Sequence, residues 1–237
     1  MRILFLVVLL YFNGVANCQK AMPDFPHIKY GEGENRWLNL YQAINKKPGA
    51  LLLWAHANGK NASANDFRKE VWQQLKMSGI SLISWESVPQ VRTAEDVTVC
   101  EEDFIKVLDW AKKNASKYNI DTGKIFVAGL SRGSVISFSG ANRNYASIRG
   151  AYFIQALPDG AWKLKDFRTE VSVNSPKMIF AYADSLETTD VHSPRNGIKI
   201  KEQYDSIGIG SRIKMYHSLG KDNLFKYLVE FINENIK

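Results

Sequence analysis

Short, almost wholly apolar runs alternate with amphipathic stretches along most of this chain, and that alternation limits its fold more than any other feature. Ala50–Ala55 is continuously apolar, the mark of a strand buried on both faces. Further strands are expected at Trp37–Ile44, Ile80–Trp85, Lys124–Ala128, Ile148–Leu157, Lys177–Tyr182 and Arg212–Tyr216. Between them, Asp66–Met77, Glu95–Tyr118, the stretch from Ser131 onward, Ile198–Ile207 and Asn223–Ile236 read as helices. In Glu95–Tyr118 the residues Phe104, Ile105, Leu108 and Ala111 share one buried face. Such an order predicts an α/β fold with a mostly parallel central sheet flanked by helices on both faces. Chemistry in sheets of this kind sits at the carboxyl ends of the strands. The residues that follow each strand are therefore the ones to inspect.

A chain of 237 residues has room for one domain with a sizeable core. Its two cysteines are too few for a disulfide scaffold or a four-cysteine zinc site, and nothing in the pattern asks for a metal or an organic cofactor. The net charge is +7, yet the basic residues are scattered, with no run of five, so no nucleic-acid partner is expected. Residues 1–18 read as a signal peptide: Arg2, then an apolar run from Ile3 to Phe12, then small and polar residues up to Cys18. The run is too short for a transmembrane span. Val15-Ala16-Asn17-Cys18 loosely resembles a lipobox, so Cys18 is either the end of the leader or a lipid-bearing first residue. A secreted or periplasmic domain over 19–237 follows. Asn61-Ala-Ser63 and Asn114-Ala-Ser116 match the N-glycosylation pattern.

Gly129-Leu130-Ser131-Arg132-Gly133 is a G-x-S-x-G motif between an expected strand and an expected helix. In that context it forms a nucleophile elbow. The serine occupies a strained turn, and the small residues on either side let neighbouring backbone come close. The helix N-terminus behind it favours negative charge, and the Arg132 amide points where an oxyanion would form. Trp54-Ala55-His56-Ala57-Asn58-Gly59 follows the first buried strand. Lipases and esterases carry an HGGG-type loop there, whose amides complete the oxyanion hole. Ala57 and Asn58 replace two of those glycines but keep their amides, and His56 would organise the loop.

From about Tyr30 to the C-terminus the chain resembles the α/β-hydrolase family, nearest to its carboxylesterase-like, feruloyl-esterase-like and hormone-sensitive-lipase-like members. Glu95–Gly133 carries most of the likeness: a long helix, Lys117-Tyr-Asn-Ile-Asp121, a strand, then Gly-Leu-Ser-Arg-Gly. The resemblance implies a serine nucleophile with the acid and then the histidine following in the chain. For the acid, Asp190 lies in a stretch resembling the family's D-x-x-V-P, and Asp184 stands nearer the end of its strand. For the base, His217 follows the last strand. The family's Gly-His step, however, aligns with Gly220-Lys221. Lysine there presents an ammonium group, which has no lone pair for the serine proton. His192, beside the acid, is the remaining substitute.

The implied activity is a secreted serine hydrolase of carboxylic esters: Ser131, Asp190 or Asp184, and His217, with Arg132, Ala57 and Asn58 around the oxyanion. Its substrate would be a small-molecule or polysaccharide-linked ester. The stretch Pro158–Ser175 is too short for a large lid. Trp85 and Trp162 would line an open pocket, bind a sugar face, or belong to the core. The alternative is a non-catalytic binding module of the same fold with a degenerate triad, which Lys221 favours.

Overall fold

The computed structural model describes residues 21–58 and 68–236. The leader, Cys18 and the sequon at Asn61 lie outside the described residues. Eight strands, β1 (Phe25–Lys29), β2 (Trp37–Tyr41), β3 (Gly49–Ala55), β4 (Ile80–Trp85), β5 (Ile120–Leu130), β6 (Ile148–Ile154), β7 (Lys177–Ala181) and β8 (Ile213–Tyr216), form one sheet. Their order is β1-β2-β4-β3-β5-β6-β7-β8. The two pairings made by β2 are antiparallel, and every pairing from β4 to β8 is parallel. Six helices accompany it: α1 (Lys69–Met77), α2 (Ala94–Lys113), α3 (Arg132–Arg143), α4 (Asp159–Trp162), α5 (Arg195–Ser206) and α6 (Leu228–Asn235).

The alternation of side chains along the central strands builds two cores. On β3, Leu51, Leu53 and Ala55 join the cluster that holds Val97, Phe104 and Val107 of α2 and Val135 and Phe138 of α3. Leu52 and Trp54 point the other way, to Val71 and Leu75 of α1 and Leu228 and Ile232 of α6. The sheet is thus covered on both faces, which is why its central strands are apolar throughout. Thr93 starts α2 with a capping box: its hydroxyl accepts from the Asp96 amide, and Asp96 accepts from the Thr93 amide.

The structure departs from the sequence reading mainly at the ends of elements. The strand expected at Lys124–Ala128 extends over Ile120–Leu130, and the helix expected from Asn223 starts at Leu228. Strand β1 was not anticipated: four of its five residues are exposed, so it has no buried face to give it a periodic signal. Between β6 and β7 stand only α4 and a short 3-10 turn, Phe167–Glu170, so this connection carries no large lid.

That connection is pinned from below by four interlocked charges. Arg143 of α3 donates to Glu101 of α2 at 2.7 Å and to Glu170 at 2.8 Å. Lys165 closes the ring, 2.6 Å from Glu101 and 2.7 Å from Glu170. Burial alone would push the Glu170 carboxyl up, but the hydrogen bonds from Arg143 and Lys165 hold it below its ordinary value. A depressed carboxylate contributes stability above its unfolded pKa, about 4.3, and the contribution fades as pH falls through the lower, folded value. Urea unfolding across pH should therefore find Glu170→Gln less stable than wild type at pH 7, with the gap narrowing in acid. A gap that stays constant to pH 3 would show that the ring carries no such linkage.

Candidate active site

Ser131 connects β5 to α3 with φ 53° and ψ −112°, a region that costs a non-glycine residue about 1–3 kcal/mol. What holds it there is close backbone packing. A Cβ on Gly133 would stand 1.8 Å from the Ala55 carbonyl oxygen at the end of β3, and one on Gly129 would meet the Gly133 carbonyl at 2.3 Å. Both glycines of the motif are therefore required by contact with main chain, which cannot swing aside. Hydrogen bonds complete the turn. The Ser131 amide donates to the Ile154 carbonyl of β6 at 2.9 Å. The Ser134 hydroxyl donates to the Ser131 carbonyl at 2.5 Å and accepts from the Leu157 amide at 2.8 Å. Helix α3 has no acidic residue in its first turn, so its N-terminal amides, Arg132's among them, present positive potential beside the serine.

The partner of the serine is His192. Ser131 Oγ and His192 Nε2 are 2.9 Å apart. Behind the ring, His192 Nδ1 is 3.2 Å from Asp190 Oδ1, which also accepts the His192 backbone amide at 2.9 Å. Asp190 thus fixes both the backbone and the ring of a residue two positions away, and the Nδ1–H form leaves the Nε2 lone pair facing the serine hydroxyl. The carboxyl is held below its ordinary value, chiefly by that backbone amide, with the ring and Lys221 adding to it. Asp190 is 55% exposed and His192 26%. Their loop is anchored where the Asp159 amide of α4 donates to the Val191 carbonyl at 2.9 Å and Asn196 of α5 donates to the Asp159 carboxylate at 2.7 Å.

The position anticipated for the base is filled otherwise. His217 is exposed at the end of β8, with Nδ1 3.2 Å from the neighbouring Ser218 hydroxyl, and it makes no hydrogen bond to Ser131, Asp184 or Asp190 among the described residues. The family alignment places the base after the last strand, whereas the histidine that touches the serine comes from the loop after β7. The local signal was Asp190-Val-His192 itself, an acid that can cap the amide two residues on and hold the ring. Asp184 uses its carbonyl to accept the Ser218 amide, and its carboxylate bonds to neither histidine. Lys221 is exposed at the start of a 3-10 turn.

Asn58 lines the same cleft as Ser131, and its side chain accepts from the Val91 amide at 3.4 Å. Ala57 precedes it in the loop that leaves β3 at Ala55, the residue against which Gly133 presses. His56 is buried and bonded to Glu86 at 2.9 Å, consistent with a loop-organising part. The Arg132 side chain is buried, with the residue 3% exposed, and it ties α3 to the loops after β3 and β4. Its guanidinium donates to the carbonyls of Val88 and His56 and lies 3.5 Å from the His56 ring. Neither tryptophan offers a sugar platform. Trp85 is in the core, and Trp162 packs on Phe167 under the ammonium of Lys199. The cleft holds about 490 Å³, ample for a small ligand.

Because Gly133 abuts main chain, Gly133→Ala should cost about 3 kcal/mol or more in urea unfolding, or leave no soluble protein. Tolerance of that alanine at wild-type stability would refute the close approach of elbow and β3.

No family model matches the chain, and no curated sequence is significantly similar to it. Solved structures are. A truncated carbohydrate esterase from gut microbiota superposes with a TM-score of 0.69 at 14% identity, over 93% of this chain and 98% of that one. An acetyl ester-xyloside bifunctional hydrolase from Caldicellulosiruptor lactoaceticus gives 0.65 at 14%, over 90% and 95%. FphF, a fluorophosphonate-binding serine hydrolase of Staphylococcus aureus, gives 0.61 at 11%, over 83% and 91%. With the parallel sheet, the helices on both faces and the serine at the carboxyl end of β5, these likenesses establish that the chain has the α/β-hydrolase fold.

Proposed function

We propose that this protein is a secreted serine hydrolase of carboxylic esters whose acid and base, Asp190 and His192, lie on one loop. The observation that carries the reading is the contact of 2.9 Å between Ser131 Oγ and His192 Nε2, with Asp190 behind the ring. Ser131 Oγ attacks the ester carbonyl carbon while its proton passes to His192 Nε2, and the carbonyl π pair moves onto oxygen. The amides of Arg132, Ala57 and Asn58 are the donors for that oxyanion. Collapse breaks the bond to the alcohol oxygen, which takes the proton from His192, leaving an acyl-serine. Water then repeats the sequence, giving its proton to His192 as it attacks, and the carboxylic acid leaves as Ser131 recovers its proton. Polysaccharide-linked or small acyl esters fit the names of the similar structures, a carbohydrate esterase and an acetyl ester-xyloside hydrolase. Export rests on the residue pattern of 1–18; among the described residues, no helix is long and apolar enough to cross a membrane.

The non-catalytic reading draws on Lys221, which stands where the family pattern has its base. His192 removes its main argument, because a histidine meets the serine by another route.

A fluorophosphonate probe and an acetyl ester assay test the proposal on the mature protein. Ser131→Ala should abolish labelling. His192→Ala should lower kcat by about 10⁴-fold or more, and His217→Ala should leave it unchanged. Asp190→Asn should cost only about 10- to 100-fold, because a half-exposed acid is screened by water. Loss of activity in His217→Ala with retention in His192→Ala would overturn the assignment, and no labelling of folded wild type would favour the binding module.

A further inference from the structure

We propose that the cleft beside Ser131 takes an ester that also carries a carboxylate, and that Arg92 receives that carboxylate. The inference rests on the hydrolase reading and narrows its substrate class. The cleft is lined by two kinds of residue. Val135 of α3, Pro158, Ala161 of α4 and Leu164 are apolar. Asn58, Arg92 and Arg132 add amide and guanidinium groups. No aspartate or glutamate lines it among the described residues, although the chain has 24 of them. No tryptophan, tyrosine or phenylalanine lines it among the described residues.

Both guanidiniums lack a carboxylate partner among the described residues. Arg132 bonds to two carbonyls and the His56 ring, and its Nε has no partner among the described residues. It is sealed from solvent and cannot reach a substrate, but its charge acts at short range through a poorly screening interior. Arg92 is exposed, with its side chain bonded only to the neutral amide of Gln90. The nearest acid in sequence, Asp96 in the first turn of α2, spends one oxygen on the amides of both Arg92 and Thr93 at 2.9 Å, and its charge reaches Arg92 without a side-chain hydrogen bond between them. An exposed guanidinium on a cleft that no carboxylate lines among the described residues, with a second, buried cation on the same cleft, forms a site for an anion. The planar fork of arginine suits a carboxylate in particular.

Two substrate pairs locate the charge. 4-Acetoxybenzoate against 4-acetoxybenzamide places it on the alcohol half, and 4-nitrophenyl hydrogen succinate against 4-nitrophenyl butyrate places it on the acyl half. The readout is the ratio of kcat/KM, charged over neutral, in wild type, Arg92→Gln and Arg92→Lys; comparing variants cancels the intrinsic reactivity of each ester. For at least one pair, Arg92→Gln should lower the ratio about three- to fivefold, the size of one solvent-exposed ion pair. Arg92→Lys should retain part of it, and about 0.5 M sodium chloride should shrink the wild-type ratio. Ratios that Arg92→Gln leaves unchanged in both pairs would overturn the proposal while the hydrolase reading stands. If no ester turns over and the fluorophosphonate fails to label Ser131, the hydrolase reading falls and this inference falls with it.

Discussion

The approach of Gly133 to the Ala55 carbonyl is the contact on which the rest of the site depends. It brings the first turn of α3 against the end of β3, and only then does the chain reverse tightly enough to force Ser131 to a positive φ. The strained turn is maintained by what surrounds it: the amide bond to β6, the Ser134 hydroxyl bridging Ser131 and Leu157, and the Arg132 side chain gripping the loops after β3 and β4. The arrangement spreads a local cost over several parallel strands, and it leaves the helix amides and the serine hydroxyl facing one cleft.

The loop after β7 meets that cleft in an economical way. In the pattern expected from the family resemblance, acid and base arrive from two different strand ends. Here Asp190 and His192 arrive together, and one carboxylate oxygen fixes the backbone and the ring of the same histidine. The geometry is set by a two-residue turn, so it needs little from β8. His217 and Lys221 are exposed and make no hydrogen bond to Ser131 or Asp190 among the described residues. The cost is a more solvated acid than a triad usually has, which limits how strongly it can stabilise an imidazolium. Anchoring through Asp159 and Asn196 compensates by holding the loop's backbone.

Much of this was readable in the residues. Ala50–Ala55 and Ile80–Trp85 announced themselves because strands covered on both faces must be apolar throughout. The elbow was readable because Gly129 and Gly133 bracket Ser131 between a strand and a helix. Strand β1 was not, since an exposed edge strand leaves no periodicity. His192 ranked behind His217 for a different reason: order along the chain was used as a guide to position in space, and a histidine can reach the serine from any loop at that end of the sheet. Arg132 was equally opaque, because nothing local distinguishes an arginine that faces solvent from one that buries its guanidinium against the carbonyls of two loops.

The account turns on His192 serving Ser131, and ¹⁵N NMR of histidine-labelled protein examines that bond directly. At neutral pH, His192 should report the Nδ1–H tautomer, with an Nε2 resonance that moves in Ser131→Ala while the His217 resonances stay in place. A His192 ring distributed between both tautomers and indifferent to Ser131→Ala would contradict it.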